Sequence, residues 1–98
     1  MATFITTLHF TEQGIKAVRD TGERAAAFKA AAEKLGVKVT GQYWTLGAFD
    51  GVIVLEAPDE ATATAALLHL GLPGNMRTQT ARAFDAAEMQ KVLGLLPR

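Results

Sequence analysis

The chain has neither cysteine nor serine among its 98 residues. Without thiols it can form no disulfide, offers no thiolate nucleophile and binds no metal through cysteine. Without serine, a serine-based acyl-transfer triad is excluded. The lack of cysteine is compatible with a reducing compartment. Neither sign of charge prevails either, since ten basic and ten acidic residues cancel to a formal net charge of zero. The basic residues are scattered from Lys16 to Arg98 and form no run. Nucleic acids and anionic membranes are both recognised largely through clustered Lys and Arg, so this balance argues against either partner. No apolar run approaches the ~20 residues that span a bilayer. The segment Met1 to Phe10 lacks the positively charged start of a signal peptide. A cytoplasmic protein is therefore expected.

The glycines do not assemble a phosphate-binding motif. Gly47, Gly51, Gly71 and Gly74 fit neither a P-loop nor a G-x-G-x-x-G turn. What remains is a globular composition, 49% hydrophobic and 20% charged, of a length suited to one domain spanning residues 1–98.

Thr3 to Phe10 reads as a strand, with Phe4, Thr6, Leu8 and Phe10 on one face and Ile5, Thr7 and His9 on the other. Thr11 is placed to cap a helix. Ile15, Val18, Ala25, Phe28, Ala32 and Leu35 then recur at helical steps, and Asp20 with Glu23 suggests a capping box that restarts the helix after a break near Asp20 to Gly22. Gly36 stops it. Val37 to Leu46 is a second strand, and Asp50-Gly51 predicts a hairpin turn in which the glycine takes positive φ. Val52 to Ala57 is nearly all apolar, which predicts burial on both faces or a central place in the sheet. Asp59 caps a helix carrying Ala63, Ala66, Leu67 and Leu70, ended by Gly71 to Gly74 around Pro73. Asn75 to Phe84 alternates as a fourth strand, and Asp85 caps a short helix with Met89, Val92 and Leu93. The order β-α-β-β-α-β predicts an α+β, ferredoxin-like antiparallel sheet with both main helices on one face, plus a short C-terminal helix. The opposite face is left uncovered by the chain and is expected to meet a partner sheet or a ligand.

Candidate site residues are few. His9 and His69 are the only histidines, are not at metal-ligand spacing, and no metal site is expected. His9 is the candidate acid or base. Tyr43 and Trp44 point to opposite faces of the second strand, so one packs beneath the helices and the other fills a dimer core or stacks on a ligand. Asp50 is read first as a turn residue and second as a catalytic carboxylate. Arg77 and Arg82 lie on opposite faces of the last strand, where a guanidinium can clamp a carboxylate.

Several segments resemble the GYD domain family, small bacterial proteins grouped with the dimeric α+β barrels. They are Phe10-Thr11-Glu12-Gln13-Gly14-Ile15, Gly41-Gln42-Tyr43-Trp44-Thr45-Leu46-Gly47-Ala48-Phe49-Asp50, Glu56-Ala57-Pro58-Asp59, and the strand from Gly74 to Phe84. The resemblance departs at Phe49, which stands where the family's eponymous tyrosine is expected. It implies a dimeric barrel, but no common activity. The reading preferred is therefore a homodimer or higher oligomer serving as a binding or structural module, without cofactor and with room for a small molecule. A cofactor-free oxygenase, cyclase or isomerase built on His9, Tyr43 and Arg77 or Arg82 is the alternative. Haem held by His9 or His69 is a third option.

Overall fold

The computed structural model describes every residue from Met1 to Arg98. Strand β1 (Ala2–Phe10) leads through the short helix α1 (Glu12–Lys16) and a 3-10 turn (Val18–Asp20) into helix α2 (Thr21–Lys34). Strands β2 (Lys38–Trp44) and β3 (Gly51–Ala57) form a hairpin, followed by helix α3 (Glu60–Gly71), strand β4 (Met76–Ala83) and helix α4 (Ala86–Leu93). The sheet is antiparallel in the order β2-β3-β1-β4, the ferredoxin-like arrangement expected. β1 and β3 are central, as the apolar run Val52 to Leu55 requires. No helix is long and apolar enough to cross a membrane.

Alternation along β1 sorts its side chains. Phe4, Thr6 and Leu8 are buried beneath the helices, and Thr6, fully buried, shares a 2.8 Å hydroxyl–hydroxyl hydrogen bond with Thr80. Phe28 and Ala32 of α2, and Ala63, Ala66 and Leu67 of α3, close over them together with Val39, Ile53 and Leu55. Ile15 and Leu35, expected on the same apolar stripe, are instead half exposed. The 3-10 turn breaks the helical phase between Ile15 and α2, and Leu35 already sits past the last turn as the C-cap.

Three of the four expected helix caps form. Thr11 accepts from the Gly14 N–H, Asp59 accepts from the Thr62 N–H, and Asp85 makes a reciprocal capping box with Glu88. The fourth does not. Asp20 stands at the N-cap of α2, but its side chain makes no capping bond. The break is centred on Ala17 to Asp20, ahead of the predicted position, and Gly22 lies inside the first turn of α2. The carbonyl of Ala17 is held there from two sides, by the Asp20 N–H and by the Arg24 guanidinium.

The hairpin also differs in detail. Its positive φ is at Gly47 (106°), whereas Gly51 has an ordinary strand conformation. Gly51 is needed for space: a Cβ there would lie 2.9 Å from the Tyr43 carbonyl oxygen and 3.2 Å from Leu8 Cδ1.

Candidate functional site

The helices leave one side of the sheet bare. The register places Thr3, Ile5, Thr7 and His9 of β1 on that side, with Val52, Val54 and Glu56 of β3, Tyr43 of β2, and Arg77, Gln79 and Ala81 of β4. Its middle is apolar, with Ile5 lying between Val54 and Ala81. Ile5 is 41% exposed and Tyr43 62% exposed, although both belong to the sheet rather than to a loop. A sheet that covers one face with helices and leaves isoleucine, valine and tyrosine on the other is one layer short of a sealed core.

The two aromatic neighbours separate at a β-bulge. Val39 pairs with Leu55, but Gly41 pairs with Val54, so one extra residue, Thr40, is inserted. The bulge turns Tyr43 to the open face. It turns Gln42 and Trp44 to the helix side, where the Gln42 amide donates to the Ala25 carbonyl and the Trp44 indole N–H donates to Thr21 Oγ1 at 3.0 Å. Trp44 thus latches the start of α2 and borders a small apolar cleft of about 30 Å³ with Leu8, Phe28 and Met76. It is not the aromatic of the open face.

His9 and Arg77 are paired positions on β1 and β4, at the same end of the open face as the hairpin. His9 Nε2 is 3.1 Å from the Ala48 carbonyl oxygen, so the ring is held by the hairpin. Asp50 reaches the same end by a different route. Its carboxylate accepts the Phe10 N–H at 2.8 Å, and its own N–H donates to the Leu8 carbonyl at 2.7 Å. Asp50 therefore ties the hairpin to the end of β1, beyond the turn it was expected to serve.

Arg82 lies on the helix side, opposite Phe4 in the register. Its guanidinium stacks 4.6 Å from the Phe84 ring centroid, donates to the Thr3 and Ala83 carbonyls, and pairs with Glu88 at 3.2 Å. His9, Tyr43 and Arg77 share one face, whereas Arg82 is committed to internal partners on the other. His69 is elsewhere again, on α3, beside a cleft of about 140 Å³ shared with Arg24 and Asn75. No group of three or more His, Asp or Glu side chains is arranged to hold a metal ion.

Ile5, Val52 and Val54, the apolar centre of the open face, are not among the site residues expected from the sequence. The apolar run in β3 was the available signal: a strand covered on one face only has no need of valine on both.

A second connected feature joins the ends of the two crossover segments. The Thr11 N–H donates to the Asn75 carbonyl, Thr11 Oγ1 donates to the Gly74 carbonyl, and the Gln13 amide donates to both the Pro73 carbonyl and Asn75 Oδ1. Gly14 is buried against this clasp, where a Cβ would overlap the Asn75 carbonyl oxygen.

The chain is similar to known proteins in sequence and in fold. The chain is 37% identical over 90 residues to the "Glutamine synthetase and cystathionine beta-lyase binding protein" of Thermus thermophilus, covering 91% of this chain and 95% of that protein. The crystal structure of TTHA0845 from the same organism superposes with a TM-score of 0.56 at 23% identity, covering 88% of this chain and 96% of that one, a likeness of fold. The family model of the GYD domain matches residues 4–93, and the chain belongs to the GYD domain family.

Proposed function

We propose that this protein is a self-associating, protein-binding module that acts in the cytoplasm by docking on metabolic enzymes. The observation that carries the reading is the open face, where Ile5, Val52, Val54 and Tyr43 lie in the sheet with no covering layer. A second copy completes the missing layer as a dimeric α+β barrel. The relative from Thermus thermophilus is named for binding glutamine synthetase and cystathionine β-lyase, and enzymes of those kinds are the partners proposed for this chain. The balanced charge favours such partners over nucleic acid or membrane.

The test is native mass spectrometry of the wild-type chain and of Ile5→Arg, each then titrated calorimetrically with purified glutamine synthetase and cystathionine β-lyase. Wild type is expected as a dimer or larger assembly that binds at least one enzyme, and Ile5→Arg as a folded monomer. A monomeric wild type would refute the self-association, and no heat with either enzyme would refute the partner assignment.

A further inference from the structure

One guanidinium is buried without a counter-charge. Arg24, on α2, uses a single nitrogen in the fold: Nη1 donates to the Ala17 carbonyl at 3.0 Å. Its Nε and Nη2 are shut off from solvent and find no acceptor in the protein. The ion pairs of the chain are Lys16–Glu12 and Arg82–Glu88, so no carboxylate answers Arg24. A guanidinium cannot relieve its burial by losing a proton. Buried donors left unpaired are destabilising, and more so when charged. The two orphaned atoms form one edge of the guanidinium, whose parallel N–H bonds match the two oxygens of a carboxylate.

Arg24 stands in the wall of the cleft of about 140 Å³ between α2, α3 and the loop into β4. Phe28, Leu70 and Met76 give that cleft apolar walls. Asn75 accepts from Gln13 through Oδ1, which leaves its amide N–H groups to donate. The exposed His69 ring also borders the cleft, and no Asp or Glu lines it. Convergent donors among apolar walls suit an anion with an apolar body.

We propose that this cleft binds a small apolar monocarboxylate, its charged end on the Nε/Nη2 fork of Arg24 beside Asn75 and its body against Phe28, Leu70 and Met76. A swing of the flexible Arg24 stem turns the fork into the cleft. The volume suits a body of about one benzene ring, which occupies a cavity of about 150 Å³. A single fork favours a planar, singly charged group over phosphate, whose sites gather several donors. The site lies among the helices, away from the open sheet face, and rests neither on self-association nor on enzyme docking.

Benzoate is the probe, titrated into the wild-type chain by calorimetry and followed in proton–nitrogen spectra of the arginine Nε–H groups. One Nε–H signal is expected to move downfield, and to be missing from Arg24→Lys, which keeps the charge but loses the fork. Benzamide has the body without the charge, and acetate the charge without the body. Each is expected to bind at least about tenfold more weakly than benzoate. Ala27 is exposed at the same cleft, one helical turn from Arg24, so Ala27→Glu supplies a carboxylate from within the chain. That variant should melt several degrees higher than wild type and lose benzoate binding, whereas the size-matched Ala27→Gln should not melt higher. Benzoate binding no tighter than benzamide or acetate overturns the site. A shift at another arginine, or undiminished benzoate binding by Ala27→Glu, overturns its placement at Arg24. Inorganic phosphate binding more tightly than benzoate overturns the carboxylate assignment.

Discussion

Replacing Gly14 with alanine is expected to cost far more than its single methyl group suggests. Gly14 lies in α1 with ordinary helical backbone, so conformational freedom is not the reason for glycine. The reason is contact. A Cβ would overlap the Asn75 carbonyl oxygen and sit 2.8 Å from the carbonyl carbon, and both are backbone atoms that cannot rotate aside. Relief requires α1 and the Pro73–Asn75 loop to separate. That breaks the 3.0 Å bond from Thr11 N–H to the Asn75 carbonyl and strains the Gln13 bonds beside it. Overpacking costs about 1–3 kcal/mol and a lost hydrogen bond about 1 kcal/mol more, while alanine recovers up to about 1 kcal/mol of helix propensity. The net is a destabilisation of about 2–3 kcal/mol, which lowers Tm by roughly 10–20 °C for a domain of this size. Gly22→Ala is the control. It lies in α2 with nothing within 4 Å of the added methyl, and should raise stability by about 0.5–1 kcal/mol. Thermal and urea denaturation of the two variants measure both signs. A Gly14→Ala protein as stable as wild type would refute the contact argument.

Asp50→Ala should destabilise by about 1.5–3 kcal/mol, since it leaves the Phe10 N–H without its charged acceptor, and Asp50→Asn should recover part of that in urea titrations. The Thr6–Thr80 bond should prove asymmetric: Thr80→Val strands a fully buried hydroxyl and costs about 1–3 kcal/mol, whereas Thr6→Val leaves an exposed one that water can satisfy and costs about 1 kcal/mol or less. Hydrogen bonds from the Thr62 backbone and side chain hold the Asp59 carboxyl below its ordinary 3.8. A carboxyl with a depressed folded-state pKa stabilises above its unfolded pKa, and the benefit is lost as pH falls through the folded value. The α3 cap should therefore weaken only below about pH 4, and Asp59→Asn should flatten that part of the stability profile, read by thermal melts at stepped pH.

The fold was legible because each element's period agreed with its ends. β1 alternates cleanly from Phe4 to Leu8, and α3 runs from a capping aspartate to a glycine–proline stop. What escaped was set by contacts distant in sequence. From Val37 and Val39, both buried, strict alternation puts Tyr43 under the helices and Trp44 outside, and the bulge at Thr40 reverses this. A bulge is a mismatch between two strands and leaves no periodic trace in one. Gly51 reads as a turn glycine because Asp-Gly so often is one, but its smallness serves Leu8 and Tyr43 across the sheet. Asp20 and Glu23 have the spacing of a capping box, yet the carbonyl of Ala17, held by Arg24, sets where the helix restarts. At the candidate site, the separation of Arg77 from Arg82 followed from strand parity alone. The engagement of Arg82 by Phe84 and Glu88 depends on where α4 leaves the sheet.

The strand order has a consequence for synthesis. β1 is made before the other strands but lies between β3 and β4, so both of its neighbours arrive later. About 70 residues separate its end from the end of β4, and at ~5–20 residues per second the ribosome takes roughly 4–14 s to supply them. Until β3 is complete at Ala57 both edges of Ala2 to Phe10 are unpaired, and the edge that β4 will take stays open to the end of the interval; the segment has β-branched and aromatic side chains and no Lys, Arg, Asp, Glu, Pro or Gly to discourage pairing with another nascent chain. A strand that ends with a neighbour on each side is thus the one that waits longest for both of them while the protein is being made.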